Sequence, residues 1–283
     1  MQIVTTKDDL RAGVRAARQA GRTIGLVPTM GALHAGHLSL VEAAHRCEDF
    51  VVATIFVNPT QFGPNEDFRR YPRTLDADLA ALAAAETDLV FVPDQTEIYG
   101  SRHATFVEVG PVAEPLEGQC RPGHFRGVAT VVLKLFNIVA PDRAYFGQKD
   151  YQQTLVVRRL VVDLDLPIEI HVCRTLRERD GLAMSSRNAY LTADQRRQAS
   201  VLYRSLRRAV ELVAGGEREA EALRAAMQDC LRTEPQVAVE YLAIVDRETL
   251  ARLSVVDRPG LAAIAARVGE TRLIDNELLG DER

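Results

Sequence analysis

The densest run of chemically useful side chains is residues 28–37, P-T-M-G-A-L-H-A-G-H, directly behind a short apolar stretch. Gly31 and Gly36 permit a tight turn and let backbone N–H groups approach a ligand closely. His34 and His37 stand three apart at a predicted helix start, so both imidazoles can face one point. The helix N-terminus adds a positive dipole end suited to phosphate. Two imidazoles there can donate hydrogen bonds as charge moves onto a departing phosphate group. The plainer alternative is a surface His pair that merely caps a helix. Its place after a buried strand, inside a Gly-flanked turn, favours chemistry.

Two further clusters suit phosphate. In G-Q-K-D, residues 147–150, a glycine lets the chain come close and Lys149 supplies a compact charge. Asp150 caps the next helix or accepts from a hydroxyl. Alone this turn is weak, since Lys-Asp is common between a strand and a helix. M-S-S-R-N, residues 184–188, offers two hydroxyls, an arginine and an amide in a polar loop that suits a mobile lid. Residues suited to a small carboxylic acid lie between them. N-P-T-Q-F, residues 58–62, puts Asn58 and Gln61 just after a strand. R-P-G-H-F-R-G, residues 121–127, brings Arg121, Arg126 and His124 to a helix start as a local basic pocket. Tyr71 and Gln153 are further candidates.

The elements that must position these residues alternate. Residues 23–28, 50–57, 89–92, 143–146 and 168–172 read as apolar, β-rich strands. Residues 37–47, 75–85, 128–139 and 151–164 read as helices, the first with Leu40, Val41 and Ala44 on one face. Such alternation predicts right-handed crossovers and an α/β fold, a parallel sheet with helices on both faces. Ligands of such sheets collect at the carboxyl ends of the strands, where these motifs fall. Beyond about residue 174 the texture changes. A polar loop leads to a helix from Thr192 to about Ala214 and, after Gly215 and Gly216, a second from Glu217 to about Arg232. Strands at 239–245, 261–267 and 271–274 complete a smaller α+β domain. The expected division is 1–175 and 176–283.

Composition sets the outer limits. The 283 residues are 47% apolar and 26% charged, with a formal net charge of −4. That is an ordinary globular balance, and it argues against a general nucleic-acid or membrane surface. The N-terminal segment has no apolar leader core, and no run is long enough to span a bilayer, so the cytoplasm is the default. Cys47, Cys120, Cys173 and Cys230 show no metal-ligand spacing, and small buried thiols are expected for at least three.

Taken together, PTMGALHAGH, FVNPTQF, RPGHFRGV, YFGQKDYQQ and DGLAMSSRN resemble the pantothenate synthetases in order and approximate spacing. HxGH alone is shared by many nucleotidyltransferases; the five motifs together are far more specific. The resemblance implies a Rossmann-like N-terminal domain that holds ATP, a C-terminal lid domain and a homodimer. It implies ATP contacts from Met30, Gly31, Ala32, Leu33, His34, Ala35, Gly36 and His37, with His37 as proton donor. Gly147, Gln148, Lys149, Asp150, Met184, Ser185, Ser186 and Arg187 would complete that site, with His34 and Lys149 also catalytic. Gln61 and Gln153 would bind pantoate, and Gln61 also β-alanine. Leu176 stands where the family has a valine against the adenine. Mg²⁺ would bridge ATP phosphates, with no protein ligand named. The implied reaction joins pantoate to β-alanine through an acyl-adenylate. Two other readings remain open: a nucleotidyltransferase with a stable nucleotide-linked product, and a non-catalytic nucleotide-binding module.

Overall fold

A computed structural model describes residues 1–280, as two compact units: Met1–Gln148 with Gln152–Arg174, and Lys149–Tyr151 with the residues from Thr175 onward. The first contains strands β1 (Gln2–Val4), β2 (Ile24–Thr29), β3 (Phe50–Ile55), β4 (Leu89–Phe91), β5 (Arg143–Gly147) and β6 (Glu169–Cys173). Its main helices are α1 (Lys7–Gln19), α2 (Ala35–His45), α3 (Leu75–Ala84), α6 (His124–Val139) and α7 (Tyr151–Asp163), with the short α4 (Gln95–Ile98) and α5 (Glu117–Cys120) between. The six strands are parallel in the order β1-β4-β3-β2-β5-β6.

Every residue of β3 is buried, as its unbroken apolar run requires of a strand covered on both faces. Leu10 and Val14 of α1, Val128 and Leu135 of α6 and Leu160 of α7 pack with Leu26, Val52 and Phe91 of the sheet. Leu40 and Val41 of α2 and Leu82 of α3 pack with Val27, Val51 and Val90. The two groups sit on opposite faces because successive strand residues alternate in direction. From β2 the chain steps through β3 to β4 on one side, then returns to place β5 on the other side of β2. The order therefore reverses between β2 and β5, and the carboxyl ends of these two strands flank the crevice where such sheets bind ligands.

The N-terminal segment, read above only for its lack of a leader, forms β1 and α1. Thr6 caps α1 by accepting from the Asp9 N–H at 3.2 Å, and Leu10, Val14 and Ala17 supply a buried stripe.

The second unit contains α8 (Ala193–Ala199), α9 (Val201–Ala214), α10 (Ala220–Leu231) and an antiparallel sheet of β7 (Val237–Asp246), β8 (Gly260–Val268) and β9 (Thr271–Leu279). Leu202, Leu206, Leu223, Met227, Ile264 and Leu273 form its core. The single helix expected over 192–214 is interrupted at Ser200, whose hydroxyl donates to the Arg197 carbonyl at 2.8 Å and competes with the helical ladder. The next helix starts three residues later than expected. The Glu217 carboxylate accepts from the amides of Arg218 and Glu219 at 2.8 and 2.9 Å and holds those residues in a turn.

The cysteine expectation fails. Cys47 and Cys120 are exposed, and Cys173 and Cys230 are only partly buried. Each of these positions lies near the end of a helix or strand.

Candidate functional site

The turn after β2 carries the first motif. Gly31 and Ala32 are both left-handed, with φ of +78° and +50°. The Gly31 amide donates to Thr29 Oγ1 at 3.2 Å, and the Ala32 and Leu33 amides donate to the two oxygens of Asp78, each at 2.8 Å. His34 is the N-cap of α2, and its Nδ1 accepts from the Gly36 amide at 3.2 Å. His37 Nδ1 accepts from the His34 amide at 3.3 Å, and the His37 amide donates to the His34 carbonyl at 2.8 Å. These backbone donors were expected to approach a ligand; they are spent inside the turn instead. Donation therefore passes to the side chains. A ring nitrogen that accepts carries no proton, so each neutral imidazole bears its proton on Nε2. The ring centroids lie 4.1 Å apart with the planes tilted by 34°, so the i, i+3 spacing does bring them together.

The turn after β3 carries the second set. Asn58 is 1% exposed. Its Nδ2 donates to Gln61 Oε1 at 3.0 Å and to the Gly127 carbonyl at 3.1 Å, while Oδ1 accepts from Tyr99 Oη at 2.8 Å and Thr60 Oγ1 at 2.9 Å. The Asn58 amide is held inside the protein and bonds the Gln61 side chain directly. Gln61 keeps a weaker hold: Nε2 donates to Met30 Sδ at 3.2 Å, and a thioether is a poor acceptor that a carboxylate or hydroxyl can replace. The sequence candidates Met30 and Gln61 are thus joined.

The expected basic pocket at 121–127 is a correction of another kind. Arg121 forms a two-point pair with Glu66 at 2.7 and 2.7 Å, and Glu117 lies 3.8 Å away. His124 Nδ1 donates to the Gln61 carbonyl at 2.9 Å, and Nε2 accepts from Arg121 at 3.1 Å. Burial first, and the Arg121 charge second, lower its pKa to about 4. Arg126 lies over the Phe106 ring at 4.0 Å and pairs with Glu108 at 3.2 Å. The cluster is charge-compensated and props up the Gln61 backbone. Tyr71 is buried, edge-on to Phe62 at 5.9 Å.

Gly147 and Gln148 are half-buried where β5 ends. Gln153, also half-buried, follows Gln152, which turns inward and donates to the carbonyls of Val112 and Pro115 at 2.9 and 2.7 Å.

In the second unit, Asn276 of β9 donates to the Lys149 carbonyl at 2.8 Å, and Asp150 is exposed. Residues 176–184 fold back on themselves, the Met184 amide donating to the Leu176 carbonyl at 3.0 Å. Arg177 ties this hairpin to the Asp275 carboxylate at 2.6 and 3.0 Å and to Glu277 at 2.8 Å. Burial opposes the Arg177 charge, but Asp275 and Glu277 outweigh it and raise its pKa. Asn188 donates to Glu178 at 3.0 Å and to the Ala183 carbonyl at 3.1 Å. The loop read as a mobile lid is cross-braced. Ser185, Ser186 and Arg187 lie at its end, where Ser185 Oγ accepts from the Arg187 amide at 3.3 Å. Leu176, 40% exposed, presents apolar surface.

Asp78 and Gly127 were missed in the sequence. Asp78 sits among alanines and leucines of α3, and only its partners reveal its use. At Gly127 a Cβ would lie 2.3 Å from the Thr60 carbonyl oxygen, so the α6 backbone rests directly on the 58–61 turn.

Known proteins resemble this chain over nearly its whole length. The family model described as pantoate-beta-alanine ligase matches residues 2–278. A pantothenate synthetase of Roseiflexus sp. (strain RS-1) is 57% identical over 279 residues, covering 99% of each chain. The crystal structure of pantothenate synthetase from Thermus thermophilus superposes with a TM-score of 0.94 at 50% identity, covering 98% of this chain and 99% of that one. A Francisella tularensis pantoate-beta-alanine ligase, complexed with beta-gamma ATP and beta-alanine, superposes with a TM-score of 0.82 at 35% identity, covering 98% and 97%. The chain belongs to the pantoate–β-alanine ligase family.

Proposed function

We propose that this protein condenses pantoate with β-alanine at the expense of ATP, through a pantoyl-adenylate, and releases AMP and pyrophosphate. The observation that carries the reading is the close His34–His37 pair at the carboxyl end of β2, each Nδ1 committed to a backbone amide. Two fixed Nε2–H donors at that edge suit charge developing on phosphate oxygens. A free carboxylate is a poor acyl donor, and a mixed anhydride with AMP supplies the leaving group. The pantoate carboxylate attacks the α-phosphorus and pyrophosphate departs. The neutral amine of β-alanine then attacks the acyl carbon, loses a proton and expels AMP. No enzyme nucleophile takes part.

In this reading Met30 through His37, Gly147 through Asp150, Leu176 and Met184 through Arg187 bind the nucleotide, with His37 as proton donor. Lys149 is the point charge for phosphate. Gln61 and Gln153 take pantoate. Among the described residues no group of three or more His, Cys, Asp or Glu side chains is placed to hold a metal ion. Mg²⁺ would enter as part of the substrate MgATP, its shell completed by phosphate oxygens and water. A homodimer, a cytoplasmic location and a division of labour between residues 1–175 and 176–283 belong to the same proposal. Among the described residues no helix is long and apolar enough to cross a membrane.

The test follows AMP and pyrophosphate from purified protein with MgATP and pantoate, with and without β-alanine. Steady AMP release only with all three substrates supports the ligation. A stable adenylylated product without amine would instead favour a nucleotidyltransferase, and binding of ATP without turnover a non-catalytic module.

A further inference from the structure

We infer that Asp78 is a positioning residue that fixes His34 and His37 for adenylation, an inference that rests on the reading of this site given above. Successive backbone N–H groups in a left-handed turn form a concave site for an anion. Here the protein fills it with its own. Both Asp78 oxygens accept, Oδ2 from Ala32 and Oδ1 from Leu33, each at 2.8 Å. Asp78 is 3% exposed, near the start of α3, and Thr74 Oγ1 donates to Oδ1 at 3.1 Å. A left-handed alanine is strained by about 1–2 kcal/mol, so Ala32 needs an external hold to keep its φ of +50°. No slack exists beside it: a Cβ at Gly31 would lie 3.0 Å from both Asp78 Oδ2 and Ile55 Cγ2.

The consequence runs along the chain. The amide after the two held by Asp78 is that of His34, and it donates to His37 Nδ1. The orientation and tautomer of His37 therefore follow from the peptide planes that Asp78 pins, and His34 follows as the cap of the same helix. Asp78 touches the turn rather than a reacting atom. An asparagine keeps its shape but offers one acceptor and one NH₂, which would confront one of the two backbone N–H groups.

The test compares wild-type, Asp78→Asn and Thr74→Val proteins in two measurements. Long-range ¹H–¹⁵N spectra of the ligand-free protein, at a pH where both rings are neutral, read the tautomers of His34 and His37. Rapid-quench kinetics read the adenylation rate and the KM for each substrate. The wild type should show both rings as Nε2–H. In Asp78→Asn at least one ring should become a tautomer mixture, and adenylation should slow by about 10- to 100-fold, the scale of a small misplacement of catalytic groups. KM for β-alanine should stay unchanged. Thr74→Val should shift both readouts the same way by less. If Asp78→Asn kept wild-type tautomers and rate, or slowed only in proportion to unfolded protein, the inference is overturned. Should that variant fail to fold, Thr74→Val decides, and wild-type behaviour in both measurements overturns it. Tautomers that respond to Asp78 in a protein that makes no AMP would retire the ligase reading while leaving the positioning role in place.

Discussion

Two turns leave neighbouring strands of the first unit, and opposite chemistry holds them. The turn after β2 is left-handed and directs amides toward α3, so an anion, Asp78, accepts from them. The turn after β3 is a short 3₁₀ segment that presents the Gln61 carbonyl to α6. There donors are needed, and a neutral imidazole and a guanidinium supply them at 2.9 and 3.4 Å. The sign of each brace follows from which backbone group the turn directs inward. What remains for substrate follows as well. The first turn spends its N–H groups and offers imidazole donors; the second spends its carbonyl and offers a side-chain amide. The Gln61–Met30 contact at 3.2 Å joins the two.

If the first turn is the catalytic one, its side chains should matter to rate more than to stability. His37→Ala should slow single-turnover adenylation by about 10²–10³-fold, or about 2.7–4 kcal/mol, the scale of one preorganised donor. His34→Ala should do the same and also cost about 1 kcal/mol of stability, because His34 caps α2. Rapid-quench kinetics beside urea unfolding separates the effects, and a wild-type rate for His37→Ala would break the comparison at its first member.

The second turn should show itself in stability and pH. His124 is depressed to about 4 from an ordinary 6.5. An unfolded chain takes up that proton first as pH falls below 6.5. Stability should therefore decline between about pH 6.5 and 4 by up to about 3 kcal/mol, and flatten below. Protonation also removes the Nε2 lone pair that accepts from Arg121. His124→Gln should lose this component, and the difference between two series of urea midpoints measures it. Parallel series would mean that His124 does not carry the brace.

The sequence and the structure agree where local pattern decides. β3 and helices α2, α3, α6 and α7 were legible from apolar period and run length, and the HxGH and NPTQ turns from their place after strands. Asp78 was not legible, because its partners lie 46 and 45 residues away. The basic look of 121–127 misled for the same reason: Glu66, which neutralises Arg121, is 55 residues distant. Residue type announces charge, but only the fold says where the countercharge sits.

Gly127→Ala tests the second turn sterically. The added Cβ would lie 2.3 Å from the Thr60 oxygen and 2.6 Å from the Gln61 nitrogen, backbone on both sides. No side chain can swing away, so α6 and the turn must part, at a cost of about 1–3 kcal/mol. KM for pantoate should rise while KM for ATP holds; equal changes in both would show that Gln61 serves neither substrate selectively.

The smallest effect separates the two donors of the second turn. Glu66 and Arg121 form a partly exposed pair, with side chains 24% and 13% accessible, so Glu66→Gln should cost only about 1 kcal/mol at neutral pH. Burial opposes the Glu66 charge, but the Arg121 hydrogen bond and charge outweigh it and lower its pKa. A depressed carboxylate contributes stability above its unfolded pKa and loses it as pH falls through the folded one. The cost of Glu66→Gln should accordingly fade in acid. Its effect on His124 runs the other way. Glu66 is among the charges that favour imidazole protonation, and without it Arg121 is less compensated. The His124 pKa should fall further in the variant, which histidine NMR titration can follow. An upward shift would mean that Arg121 swings away once Glu66 is neutral, leaving the imidazole alone to hold the Gln61 carbonyl.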